Sequence, residues 1–121
     1  MTRVLIIDDE DLVRSAFRMA LERAGFEVFD AASGPSGLGH LVEHGADLVI
    51  TDLIMPDKDG FETIREIRTL QPAIPIIAVT GGGPSGPERL LDRVREMGVG
   101  ITLRKPISRR ELLAAVNGAL S

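Results

Sequence analysis

Val4-Leu5-Ile6-Ile7-Asp8-Asp9 is a short β-branched and leucine run that stops abruptly at two carboxylates. The same arrangement recurs along the chain. Leu48-Val49-Ile50 leads to Asp52, Ile74 to Val79 leads to Thr80, and Ile101 to Leu103 leads to Lys105. Each run has the length of a strand. Strands that read as near-continuous apolar runs, without the polar alternation of a half-exposed sheet, belong to parallel sheets covered on both faces.

The intervening segments supply the covering helices. Val13, Phe17, Ala20, Leu21 and Ala24 recur at helical spacing, and Gly25 suits the helix end. Phe26 to Phe29 reads as a second strand. Leu38, Leu41 and Val42 mark a second helix closed by Gly45. Asp59, with Glu62 three residues on, opens a third helix in a capping-box arrangement, and Ile64, Ile67 and Leu70 form its apolar stripe. After a Gly/Pro/Ser loop from Gly81 to Gly86, Leu90, Leu91, Val94 and Met97 make a fourth helix ended by Gly98. Ser108 and Glu111 form a second capping-box pattern ahead of Leu112, Leu113, Val116 and Leu120.

That is five βα units with no repeat and no linker, expected to form a single domain over residues 1–121 without an output domain. Right-handed crossovers close such a chain as a doubly wound parallel sheet. A closed eight-unit barrel needs about twice the length.

Composition narrows the setting. Apolar residues make up 44%, which a globular core requires and a disordered chain lacks. No apolar run approaches the roughly 20 residues that span a bilayer. Met1-Thr2-Arg3 leads straight into the first strand, unlike a signal peptide, so a cytoplasmic location and no membrane partner are expected. There is no cysteine, which excludes disulfides and thiolate metal sites. The net charge of -4 disfavours direct binding of nucleic acid. Residues 1–85 hold 14 acids and 7 bases, a net of -7, whereas residues 86–121 hold 4 acids and 7 bases, a net of +3. Either solvated helix faces simply vary in charge, or the chain carries an acidic site and, separately, a basic partner face bearing Arg89, Arg93, Arg95, Arg109 and Arg110.

Doubly wound sheets bind ligands at the carboxyl ends of their strands, where strand order switches. Asp8 and Asp9, Asp52, Thr80 and Lys105 follow four different strands and so converge there. Taken singly, each has an ordinary explanation. An Asp at a strand end is a turn former or helix cap, Thr80 ends a β-branched run, and a lysine before Pro106 is an exposed lysine. Taken together they form a chemical set. Carboxylates packed together repel unless a cation joins them, and Mg²⁺ prefers one or two carboxylates plus phosphate and water. Lys105 offers a point charge for a phosphoryl oxygen, Thr80 a hydroxyl donor, and Asp52 a carboxylate able to accept a phosphoryl group.

The stretches Ile7-Asp8-Asp9-Glu10, Asp52-Leu53-Ile54-Met55-Pro56 with Gly60, Thr80-Gly81 and Lys105-Pro106-Ile107 resemble, over the whole chain, the receiver domains of bacterial two-component response regulators. The resemblance implies a flavodoxin-like sheet of strand order 2-1-3-4-5 with five helices. It implies that Asp52 takes a phosphoryl group from a sensor histidine kinase or a phosphotransfer protein. Asp9, Asp52 and the backbone carbonyl of Ile54 would ligate Mg²⁺, with Asp8 acting mainly through water. Thr80 and Lys105 would bind phosphoryl oxygens, and Gly81 and Thr102 would belong to the switch. A downstream protein, or a second copy of the chain, would meet the face formed by the fourth helix, fifth strand and fifth helix.

The family usually carries Tyr or Phe where this chain has Thr102. The glycine loop is therefore the expected conformational element here, with Gly81, Gly82 and Gly83 absorbing the backbone change. Two rival readings are weaker. A flavin- or nucleotide-binding module on the same fold wants a Gly/Ser/Thr phosphate loop after the first strand, where this chain has Asp8-Asp9-Glu10-Asp11. A phosphatase with an Asp nucleophile wants further chain to enclose its substrate.

Overall fold

Unbroken apolar runs form central strands because both faces of those strands meet helices. In the computed structural model the strands are β1 (Arg3–Ile7), β2 (Glu27–Ala31), β3 (Leu48–Asp52), β4 (Ile76–Thr80) and β5 (Ile101–Arg104). The helices are α1 (Asp11–Arg23), α2 (Gly34–His44), α3 (Gly60–Leu70), α4 (Pro87–Glu96) and α5 (Arg109–Leu120). The structure describes residues 1–54, 60–81 and 87–121, and for 87–91 the backbone only. Met55, Pro56 and Asp59, Gly82 and Gly83, and the side chains of Arg89, Leu90 and Leu91 therefore lie outside the described residues.

All four strand pairings are parallel, and the order is β2-β1-β3-β4-β5. This is the flavodoxin-like doubly wound sheet with five helices. Side chains alternate across it. Leu5, Ile7, Val49, Ile76 and Ala78 pack against Leu41 of α2, Phe61, Ile64 and Ile67 of α3, and Val94 of α4. Val4, Ile6, Ile50, Ile77 and Val79 pack against Phe17 and Leu21 of α1 and Leu112 and Val116 of α5. Each fully buried aliphatic side chain contributes roughly 1.5–3 kcal/mol, so the two layers dominate stability. No helix among the described residues is long and apolar enough to cross a membrane.

The structure departs from the sequence reading at several boundaries. β2 starts at Glu27 and continues to Ala31, while Phe26 only packs beside the α1–α5 layer. β4 starts at Ile76 because Pro75 has no N–H to give; its carbonyl instead accepts from Val49. Val42 is 71% exposed and Leu70 47%, so neither belongs to a buried stripe. In α2 the buried row is Gly34, Gly37 and Leu41, and a Cβ on Gly37 would lie 2.4 Å from Ile7 Cδ1. In α3 Phe61 starts the row that Ile64 and Ile67 continue, and Leu70 is the helix's last residue. The Ser108–Glu111 capping box is present in both directions.

Candidate functional site

Backbone pairing continues one residue past the strand ends and delivers the polar groups to one edge of the sheet. Asp8 N–H donates to Ala31 O (3.1 Å), Leu53 N–H to Val79 O (2.9 Å), and Lys105 N–H to Thr80 O (2.8 Å). Asp8 and Asp52, 2% and 4% exposed, therefore sit side by side at the ends of β1 and β3. Lys105 reaches across from β5. Its Nζ lies 2.9 Å from Asp8 Oδ2, 2.9 Å from Glu10 Oε1 and 3.1 Å from Asp52 Oδ2.

Each carboxylate is held from behind. Asp52 Oδ1 accepts from the Ile54 N–H at 3.2 Å. The start of α3 presses on the same segment: Gly60 N–H donates to Leu53 O at 2.9 Å, and a Cβ on Gly60 would lie 2.4 Å from Leu53 Cα and 2.7 Å from Asp52 O. Only glycine permits that approach. Asp8 Oδ1 accepts from the Glu10 N–H at 2.9 Å, and Asp8 O accepts from Arg14 Nη1 at 2.9 Å. Arg14 is itself fixed by Asp11 (2.6 Å) and Asp30 (3.4 Å).

Burial pushes the Asp52 carboxyl above its ordinary pKa, the Ile54 N–H and the Lys105 charge pull it back in part, and the neighbouring Asp8 charge adds to the rise. Burial alone would lower the Lys105 pKa. Hydrogen bonds to Glu10 and Asp8 and the charge of Asp52 outweigh it, so the net shift is upward and the ammonium stays charged. One cation faces three carboxylates, Asp8, Glu10 and Asp52, whose oxygens lie within 4.8 Å of one another. The remaining formal charge of -2 on hard oxygen donors suits a divalent ion such as Mg²⁺.

The structure thus brings Asp8, Asp52 and Lys105 together. Asp9 is exposed and stands outside that group of three carboxylates. Glu10 stands in it, although the sequence reading gave it no role; its position two residues after Asp8 was the available signal. Thr80 is fully buried at the end of β4. Gly81, exposed beside it, lines with Glu10, Leu12, Lys105 and Ile107 a cleft of about 480 Å³. Ile54 is exposed at the site mouth, and Thr102 is half-buried in β5 opposite Ala78. Arg109 and Arg110 are exposed at the start of α5. Arg93 differs from them: its guanidinium lies over the Phe61 ring, 4.2 Å from the centroid, and ties α4 to α3.

A family model described as the response regulator receiver domain matches residues 4–117. The transcriptional regulatory protein ResD of Bacillus subtilis is 36% identical over 121 residues, which are 98% of this chain and 48% of ResD. The chain spans about half the length of the curated relatives it matches. Among solved structures, a response regulator receiver domain protein from Clostridium thermocellum superposes with a TM-score of 0.90 at 33% identity, covering 99% of this chain and 94% of that one. The chemotaxis response regulator CheY4 of Vibrio cholerae superposes with a TM-score of 0.89 at 30% identity, covering 99% of both chains.

Proposed function

The chain belongs to the response regulator receiver domain family of two-component signalling, and from that premise we propose that Asp52 is its phosphoacceptor. The observation that carries the assignment is Lys105 Nζ within hydrogen-bond reach of two buried carboxylates, Asp8 and Asp52, at adjacent strand ends. Asp52 Oδ1 is occupied by the Ile54 N–H. Oδ2, beside Lys105, is then the oxygen that attacks phosphorus. The new O–P bond forms as the P–N bond of a phosphohistidine breaks, and the imidazole leaves and takes its proton from solvent.

Lys105 neutralises charge on the phosphoryl oxygens, and Thr80, at the neighbouring strand end, offers its hydroxyl. Asp8, Asp9, Asp52 and the Ile54 carbonyl are the groups proposed to hold Mg²⁺, which when bound supplies positive charge to the transferring oxygens. The chemistry of the chain is then limited to its own phosphorylation and dephosphorylation.

The donor in this reading is a sensor histidine kinase or a phosphotransfer protein, and residues 1–121 act as one receiver unit in the cytoplasm. The output is a contact with a downstream protein, or self-association, through α4, β5 and α5, with Arg109 and Arg110 on that face and no direct contact with nucleic acid or membrane. Thr80, Gly81 and Thr102 are the proposed switch positions. The flavin- or nucleotide-binding alternative gains no support from the family match, and Asp8, Asp9 and Glu10 after β1 repel a phosphate in the absence of metal.

The test is labelling by acetyl phosphate. Wild type should incorporate one phosphoryl group with Mg²⁺ and none in excess chelator, and Asp52→Asn should incorporate none. Stoichiometric labelling of that variant, or of wild type in chelator, refutes the assignment.

A further inference from the structure

We propose that Glu10 is a positioning residue that competes with the incoming phosphoryl group for the Lys105 ammonium, and that this contact is exchanged as the group enters. The inference rests on the assignment of Asp52 and Lys105 above. Glu10 occupies the N-cap of α1 with extended backbone (φ -87°, ψ 111°), yet its side chain makes no capping hydrogen bond. A good N-cap side chain accepts from the first turn of its helix. This one turns away, and Oε1 accepts from Lys105 Nζ at 2.9 Å, 95 residues along the chain.

Donor stoichiometry gives the contact its consequence. A lysine ammonium has three N–H donors and no acceptor. Here three carboxylates, Asp8, Glu10 and Asp52, stand within 3.1 Å or less of Nζ and fill the donor set. A phosphoryl oxygen needs one of those donors, so one carboxylate must yield. Asp8 cannot withdraw, because its side chain is 3% exposed and pinned by a backbone N–H, and Asp52 releases its share only once Oδ2 has bonded to phosphorus.

Glu10 can. Its backbone is fixed by Asp8 Oδ1 on one side and Arg14 N–H on the other, but its side chain is 58% exposed and has solvent to turn into. Glu10 also opposes phosphoryl entry a second way, since its negative charge faces the incoming dianion. It therefore sets the resting threshold of the site: the carboxylate retains Lys105 until a phosphoryl group, with its cation, outcompetes it.

Beryllium fluoride binding at saturating Mg²⁺, read by 19F NMR of the bound fluorides, tests this. Glu10→Gln keeps the size and removes the charge, and should lower the half-saturating fluoroberyllate concentration about two- to five-fold, the range of a half-exposed ion pair. Glu10→Asp keeps the charge but loses the reach to Lys105, and should give a smaller gain in the same direction. In the unliganded variants the Lys105 ammonium resonance should shift from its wild-type position, a readout that a change in fold stability alone does not move. Unchanged or weaker binding by Glu10→Gln, while wild type binds normally, overturns the role of Glu10. Failure of wild type itself to bind strikes the Asp52 assignment instead.

Discussion

Replacing Lys105 by methionine should destabilise the metal-free protein and leave the Mg²⁺-bound protein much less affected. Methionine keeps the stem length and deletes the charge. Asp8, Glu10 and Asp52 then face one another with oxygens within 4.8 Å and no cation between them. Two unit charges at that distance repel by about 3.5 kcal/mol at an effective dielectric near 20. Glu10 escapes by swinging into solvent, which leaves one dominant pair, Asp8 with Asp52. Part of that is relieved by protonation of Asp52, whose pKa burial already raises. Removing one partner of a buried charge pair typically costs about 3–5 kcal/mol, and the relief places the expected loss near 3 kcal/mol.

For a domain of this size each kcal/mol lowers Tm by about 3–6 °C, so a drop of about 9–18 °C in chelator is expected. A divalent ion can take the vacated position, and a ligand at a hundredfold excess over its Kd stabilises by about 2.7 kcal/mol. Wild type should gain less from Mg²⁺, because Lys105 competes for the same oxygens. Thermal unfolding followed by circular dichroism, in chelator and in saturating Mg²⁺, measures all four values. An equal Tm loss in both conditions, or none in chelator, refutes the argument that this lysine neutralises a cation-seeking carboxylate group.

Gly60→Ala should cost about 1–3 kcal/mol, because the new methyl meets Leu53 Cα at 2.4 Å and Asp52 O at 2.7 Å, and backbone has no rotamer with which to move aside. It should also slow acetyl phosphate labelling by displacing Asp52; a variant with wild-type Tm and labelling rate contradicts the close packing of α3 on the Asp52 segment. Charge reversal at Arg109 and Arg110 should weaken binding of an acidic partner, or self-association, and flatten its salt dependence without loss of fold, since acids in the first turn of α5 are favoured by the helix dipole. Unaltered binding and salt dependence in that double variant remove the basic face from the interaction. Arg93 is unsuited to this test because reversal there also breaks its contact with Phe61.

The layered fold and the identity of three of the clustered groups were legible in the sequence. Val4 to Ile7, Leu48 to Ile50 and Ile76 to Val79 are buried on both faces, so their apolar runs need no partner to be recognised, and the polar residues within two positions after each run must emerge near the same edge of a parallel sheet. That logic found Asp8, Asp52 and Thr80, and the motif around Lys105 gave the cation. It did not show that Asp8 is buried while Asp9 is exposed, because the split between adjacent side chains depends on how the turn into α1 leaves the sheet. Nor did it show that Val42 and Leu70 face water, since a helix stripe is buried only where another element covers it. The Arg93–Phe61 contact, the raised pKa of Asp52 and the pairing of Glu10 with Lys105 belong to the same class. Periodicity in the sequence determines which face of an element is apolar. Only the tertiary structure decides which side chains from distant elements meet, and how far burial strengthens the charges that do.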